Sequence, residues 1–158
     1  MHVQRHRTVA RLVMLLIGLL AQGAYARGAH AQEPLKVADG NEPGVRMEIL
    51  SLKRGEGGMV TLRVAFVNDS GGQVQNSVLP GKGNVENFAL LDYGNRRKYL
   101  VVRDSGGGCL CTSLNPFKAS EPGRVVLWAK FAAPPESVDH VTLLMPDAEP
   151  LDGVPLSH

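Results

Sequence analysis

The two cysteines of this chain, Cys109 and Cys111, are its most unusual chemical feature. Residues i and i+2 of an extended strand lie roughly 6.6 Å apart, at the upper edge of the Cα separation that a disulfide tolerates. A bond between them therefore requires a tighter turn, which the preceding Gly106-Gly107-Gly108 run permits. We predict an intrachain disulfide. Two alternatives stay open: a redox or intermolecular thiol pair, and a Cu(I) site with a methionine from Met47, Met59 or Met145.

Two other short motifs are similar to parts of enzyme sites but lack the partners that such sites need. Asp104-Ser105-Gly106-Gly107 resembles the segment around the nucleophile of trypsin-like serine proteases, in which a histidine base precedes the serine. Beyond residue 31 the chain has only His140 and His158, and both follow Ser105. Gly81-Lys82-Gly83 lacks the glycine spacing and the Ser or Thr of a phosphate-binding loop. We predict turns at both places, no catalytic residues, no cofactor and a protein that is not an enzyme.

Trp128 and a run of three cations are the candidate partner-binding residues. Trp128 has the opposite parity to the apolar residues of its strand, so it points outward if those residues face the core, whereas a covering loop or reversed parity would bury it. An outward aromatic side chain is suited to anchoring a partner. Arg96, Arg97 and Lys98 end a predicted hairpin, where such a run is usually a solvated turn and otherwise a patch for an anionic partner such as lipid headgroups or polysaccharide.

The first 31 residues have the pattern of an export signal. A basic stretch, His2–Arg11, precedes an apolar run of ten residues, Leu12–Ala21, which is too short for the roughly 20 residues of a membrane-spanning helix. Small-x-small cleavage sites end at Ala26 and Ala31, and we prefer the second; an uncleaved anchor is the alternative. We therefore expect a periplasmic or secreted protein with no transmembrane segment after cleavage.

Removal of the signal changes the charge balance of the chain. The segment takes four arginines and no acidic residue, leaving 13 Lys and Arg against 15 Asp and Glu, a formal charge of −2 instead of +2. Nucleic-acid binding needs clustered cations that displace counterions from phosphates. We therefore exclude nucleic acid as a partner.

Period-2 alternation dominates the rest of the chain. Residues 32–44 are polar and predict a flexible lead-in with a short edge strand at Leu35–Ala38, before a single domain at residues 45–158. We predict two hairpins. The first has a bulge near Leu50, a turn at Arg54–Gly58 and a second strand at Met59–Asn68, in which Thr61 and Arg63 point away from the apolar face. In the second, Phe88–Leu91 and Tyr99–Val102 flank a turn at Asp92–Asn95. Further strands are expected at Arg124–Ala132 and at Val138–Met145, the last of the set. About seven strands predict an immunoglobulin-like antiparallel β-sandwich, with a small β-barrel or jelly roll as the alternative.

Several turn and core motifs together resemble a family of uncharacterised bacterial exported immunoglobulin-like domains. The resemblance covers roughly Val45 to Leu156 and is carried by Phe66-Val67-Asn68, Phe88-x-Leu90-x-Asp92-x-Gly94 with Lys98-Tyr99, Cys109-Leu110-Cys111, Pro122-Gly123 and Phe131-Ala132-Ala133-Pro134-Pro135. Some relatives accompany an OmpA-like peptidoglycan-binding module, but this chain has no room for one, so an envelope-anchoring role is not implied. The resemblance gives information about the fold and very little about chemical activity.

These observations predict a non-enzymatic binding or envelope-associated module. Its expected partner is an envelope or extracellular protein or polysaccharide. The alternative function is periplasmic Cu(I) binding or thiol redox chemistry by the Cys109-x-Cys111 pair.

Overall fold

The computed structural model of the protein describes residues 33–112 and 120–158, so the predicted signal peptide lies outside the described residues. No helix in the described ranges is long and apolar enough to cross a membrane. Eight strands are found there: β1 Lys36–Asp39, β2 Val45–Gly55, β3 Met59–Asn68, β4 Ala89–Asp92, β5 Arg97–Leu100, β6 Gly123–Ala132, β7 His140–Leu144 and β8 Leu151–Pro155.

The strands form two four-stranded antiparallel sheets. Sheet A has the order β1-β2-β3-β6 and sheet B the order β5-β4-β7-β8. The chain crosses between the sheets three times, after β3, after β5 and after β6, while β3 pairs with β6 and β4 pairs with β7. This interlocked order is that of the central strands of an immunoglobulin-like sandwich. The predicted sandwich is confirmed, and the described strands form no closed barrel.

The core lies between the two sheets and is built from alternate residues of each strand. In β3 the inward residues include Leu62 and Phe66, and in β6 Leu127 and Phe131; each is no more than 1% exposed. Removing such a side chain from water contributes about 1.5–3 kcal/mol. Because the alternation has a period of two, burying Leu127, Ala129 and Phe131 directs Trp128 and Lys130 to the outer face of sheet A.

The predicted bulge in the first hairpin is confirmed. The register of β2 against β3 shifts between Ile49 and Ser51, so Leu50 is an extra residue on β2. Ile49 and Leu52, which have opposite parity, are therefore both completely buried. Beyond the bulge, Ser51 and Lys53 point outward.

Several predicted strand boundaries differ from the structure, and three of the differences change the architecture. An edge strand does lie in the lead-in, but at Lys36–Asp39, paired with β2. The strand predicted at Tyr99–Val102 ends in sheet B at Leu100. The next residue, Val101, pairs with Phe131 of sheet A. The set does not end at Met145, because β8 follows; it contains Gly153 and Pro155, which are rare in strand interiors and are tolerated here because β8 is the edge of sheet B.

The long segment between β3 and β4 contains two short 3-10 turns, Asn76–Val78 and Pro80–Gly83. In the second, Gly81 has a φ of +60°, and a Cβ atom there would lie 2.3 Å from Cε1 of Phe88. Only glycine satisfies both the backbone angle and the close approach of that buried ring.

Candidate binding surface

The cysteines lie on a short hairpin beside β6. After β5, Val101 pairs with Phe131, and on the returning half of the hairpin Cys111 pairs with Ala129. Ala129 is fully buried in the core. The hairpin therefore extends sheet A beyond β6.

A glycine-rich turn closes this hairpin. The Asp104 carboxylate oxygen Oδ1 accepts hydrogen bonds from the backbone N–H groups of Gly106, at 2.8 Å, and Gly108, at 2.9 Å. Gly107 has a φ of +84°, which is unfavourable for other residues. The carboxylate of the protease-like motif thus organises its own turn.

The two sulfur atoms lie at disulfide distance, and the Cα atoms of Cys109 and Cys111 are 5.3 Å apart. This separation is shorter than that of an extended i, i+2 pair, so the chain does tighten after the glycines. Both cysteines are half-buried and pack against the core. In the described part of the chain no cluster of three or more His, Cys, Asp or Glu residues could hold a metal ion.

Trp128 lies on the outer face of sheet A, with 39% of its surface exposed. Its backbone N–H donates to Oγ1 of Thr112 at 2.9 Å, and its carbonyl accepts from the Thr112 N–H at 2.8 Å. Val126, the next outward residue of β6, is 42% exposed. The cysteine hairpin therefore fixes the backbone under an exposed aromatic side chain.

Three cations share this face with Trp128. Arg63 is directly opposite Trp128 in the β3–β6 pair, and Lys130 follows on the same face of β6. Lys53 of β2 is opposite Thr61 of β3, which is itself opposite Lys130 of β6, so these three residues form one row across the sheet. Ser51, Arg63 and Trp128 form the neighbouring row. None of the three forms an ion pair with another described residue. We call the outward residues of these two rows the Trp128 face: Ser51, Lys53, Thr61, Arg63, Trp128 and Lys130.

The other half of the outer face is charge-balanced. Glu48, only 7% exposed, accepts a hydrogen bond from Nε of Arg46 at 2.9 Å and another from Nη1 of Arg124. Arg46 also binds Asp69 at 2.7 Å. Burial acts to raise the pKa of Glu48, but the hydrogen bonds and charges of the two arginines outweigh it and hold this pKa below its ordinary value. Two cations and two anions therefore offset one another here.

The predicted cation run Arg96-Arg97-Lys98 lies elsewhere. Its three side chains are exposed at the β4–β5 turn, where Arg96 has a φ of +53°. Arg97 lines a groove of about 760 Å³ together with Tyr99, Arg54, Met59 and Pro134 among others.

The guanidinium group of Arg54 donates to the carbonyls of Pro134 and Pro135, each at 2.7 Å, and of Val138 at 3.0 Å. Arg54 therefore supports the groove wall.

The structure does not bring the cation run and Trp128 together. Arg97 precedes Val101 by four residues and Trp128 precedes Phe131 by three, while Val101 and Phe131 are antiparallel partners. The two sites therefore lie in opposite directions along the strands from this pairing.

Sequence analysis missed Arg63, Lys53 and Lys130 as neighbours of Trp128. Parity alone placed Thr61 and Arg63 on the polar side of β3, which was the available signal. The partner strand β6 is separated from β3 by two strands of sheet B, so the β3–β6 pairing could not be deduced from local pattern.

The immunoglobulin-like fold of this chain rests on its own strand order. The resemblance to a family of exported domains stays a prediction, because no protein-family model, curated protein or solved structure matches the chain.

Proposed function

We propose that this chain is an exported, non-enzymatic binding module, associated with the cell envelope, that contacts its partner through the Trp128 face. The observation that carries the proposal is the exposed indole of Trp128 on a sheet whose inner face is fully packed. Tryptophan side chains are prominent among residues that dominate binding energy, because each buries a large, rigid surface.

The backbone under Trp128 is ordered before any partner arrives. It is held on one side by pairing with Arg63 and on the other by two hydrogen bonds with Thr112. A preorganised contact residue loses little conformational entropy on binding, so more of its contact energy becomes affinity.

The cysteine pair supports export. Cys109 and Cys111 are placed at disulfide distance, and disulfides persist in oxidising compartments such as the periplasm or the extracellular space. The proposed location agrees with the predicted signal peptide. In such a compartment a bonded pair would hold the hairpin that fixes Trp128.

The test is capture of a partner from solubilised envelope by the immobilised protein. Trp128→Ala removes the exposed indole, and loss of an anchor worth about 2 kcal/mol lowers affinity roughly thirtyfold. Tyr93→Ala is the matched control, because Tyr93 is an aromatic residue 67% exposed in the β4–β5 turn. We expect an envelope component that the wild type and the Tyr93 variant retain and the Trp128 variant loses. Equal retention by all three would show that the Trp128 face is not the contact surface.

A further inference from the structure

We propose that the Trp128 face binds an anionic lipid surface, with lipid phosphates contacting Lys53, Arg63 and Lys130 and the Trp128 indole entering the headgroup layer. This inference rests on the proposed function and adds the chemistry of the partner. It commits to the membrane surface instead of a soluble protein or polysaccharide.

Uncompensated charge is the first support for this partner. The two rows of the Trp128 face hold three cations and no acidic residue. Elsewhere on sheet A, Arg46 and Arg124 are neutralised by Glu48 and Asp69. The positive potential is therefore confined to the half of the face that carries Trp128, so an anionic partner gains most by contacting that half.

The arrangement of these cations is the second support. Lys53, Arg63 and Lys130 stand on three adjacent strands of one sheet and project from the same side. They can therefore reach a flat surface at the same time. Two of them are lysines, whose flexible stems and point charges can follow mobile phosphates without a fixed pairing geometry.

Trp128 is the third support. Its indole has an apolar body and one N–H donor, which is why tryptophan concentrates at membrane–water interfaces. It lies among the cations, opposite Arg63, with exposed Val126 beside it. An aromatic residue within a basic cluster combines apolar burial with attraction to anionic headgroups.

The arrangement of the cations predicts how binding to an anionic membrane depends on charge and on salt. A basic residue near an anionic membrane contributes about a fivefold increase in binding, so removing all three charges should weaken binding by about a hundredfold. The attraction is screened over about 10 Å at 0.1 M salt, so binding should weaken steeply as salt is added.

The chain provides its own reporter, because Trp128 is its only tryptophan. The mature protein is titrated with vesicles of equal parts phosphatidylglycerol and phosphatidylcholine, and separately with pure phosphatidylcholine vesicles. Fluorescence emission and co-sedimentation are measured. We expect a blue shift and sedimentation with the anionic vesicles only.

A matched pair of triple variants tests which cations act. Lys53→Gln/Arg63→Gln/Lys130→Gln removes the charges around Trp128, and Arg96→Asn/Arg97→Gln/Lys98→Gln removes the same charge at the distant hairpin turn; asparagine tolerates the left-handed backbone at position 96. The first variant should lose vesicle binding by about a hundredfold. The second variant should bind vesicles with an affinity close to that of the wild type. Circular dichroism checks that both variants are folded.

Four results would overturn the lipid proposal. They are no blue shift with anionic vesicles, equal losses in the two triple variants, a Trp128 emission shift caused by soluble polygalacturonate and not by vesicles, and capture of an envelope protein that Trp128→Ala abolishes. In the last two cases the proposed function stands and the lipid partner is wrong. When neither vesicles nor envelope components respond to Trp128→Ala, both are wrong.

Discussion

Glu48 is the group whose replacement tests the electrostatics of sheet A most directly. Its carboxylate is nearly buried on the outer face and accepts hydrogen bonds from Arg46 and Arg124. Glu48→Gln keeps the shape of the side chain and removes the charge. The amide retains one acceptor oxygen, so at least one of the two charge-assisted hydrogen bonds is weakened or lost.

The expected loss of stability lies between two limits. Removing one partner of a fully buried ion pair costs about 3–5 kcal/mol, whereas an exposed pair contributes about 0–1 kcal/mol. Here the Glu48 side chain is 9% exposed, but those of Arg46 and Arg124 are 33% and 44% exposed and can be hydrated when the carboxylate is gone. We expect a destabilisation of about 1–2 kcal/mol near neutral pH, seen as a Tm lower by about 4–8 °C.

The pH dependence has a definite sign. Because the pKa of Glu48 is lowered in the folded protein, the folded state binds fewer protons than the unfolded state in the range between the two values. The stabilisation by the carboxylate is therefore complete above the ordinary pKa of 4.5 and is lost as the pH falls through the lowered pKa. The stability difference between the wild type and Glu48→Gln should accordingly shrink in acid.

Urea unfolding followed by circular dichroism, at neutral pH and in steps into acid, measures this difference. Glu149→Gln makes the same chemical change at an exposed position and should alter stability by less than about 0.5 kcal/mol at every pH. A Glu48 variant as stable as the wild type at neutral pH, or a difference that grows in acid, would refute the reasoning.

Two further changes test the backbone of the loops. Gly81→Ala should destabilise by about 2–3 kcal/mol, because it combines a positive φ with a clash against Phe88, whereas Gly72→Ala, with no atom within 4 Å of its Cβ, should be close to neutral in thermal unfolding. Cys109 and Cys111 should take up no label when the protein is alkylated without reductant, and replacing both by serine should lower the free energy of unfolding by less than about 3 kcal/mol, since the pair closes only a three-residue loop. Two labels per chain, together with stoichiometric Cu(I) binding, would favour the metal-binding alternative instead.

The features that sequence predicted correctly are those set by neighbours along the chain. The β2–β3 hairpin, its bulge and the β4–β5 hairpin each depend on alternation and a turn a few residues away. The outward direction of Trp128 was one of the two alternatives that parity within β6 left open. Local alternation is sufficient in these cases because each strand has one buried face.

The features that sequence missed depend on contacts between distant segments. Arg63 meets Trp128 only because β3 and β6 pair across 65 residues of sequence, and Glu48 becomes buried only when Arg46 and Arg124 converge on it. Strand β8 was not predicted because it contains Gly153 and Pro155, which are rare in strands. They are tolerated here because β8 lies at a sheet edge, a position that no local pattern reveals.

The division of β6 into two faces also separates stability from binding. Leu127 and Phe131 hold the strand in the core, while Trp128 contributes its exposed indole to the outer surface. Trp128→Ala leaves those core residues and the two hydrogen bonds between the Trp128 backbone and Thr112 in place. Its effect on the free energy of unfolding should therefore be small compared with that of truncating a core side chain. A large loss of binding together with near-native unfolding would thus identify Trp128 as a contact residue, because a structural residue would lose both.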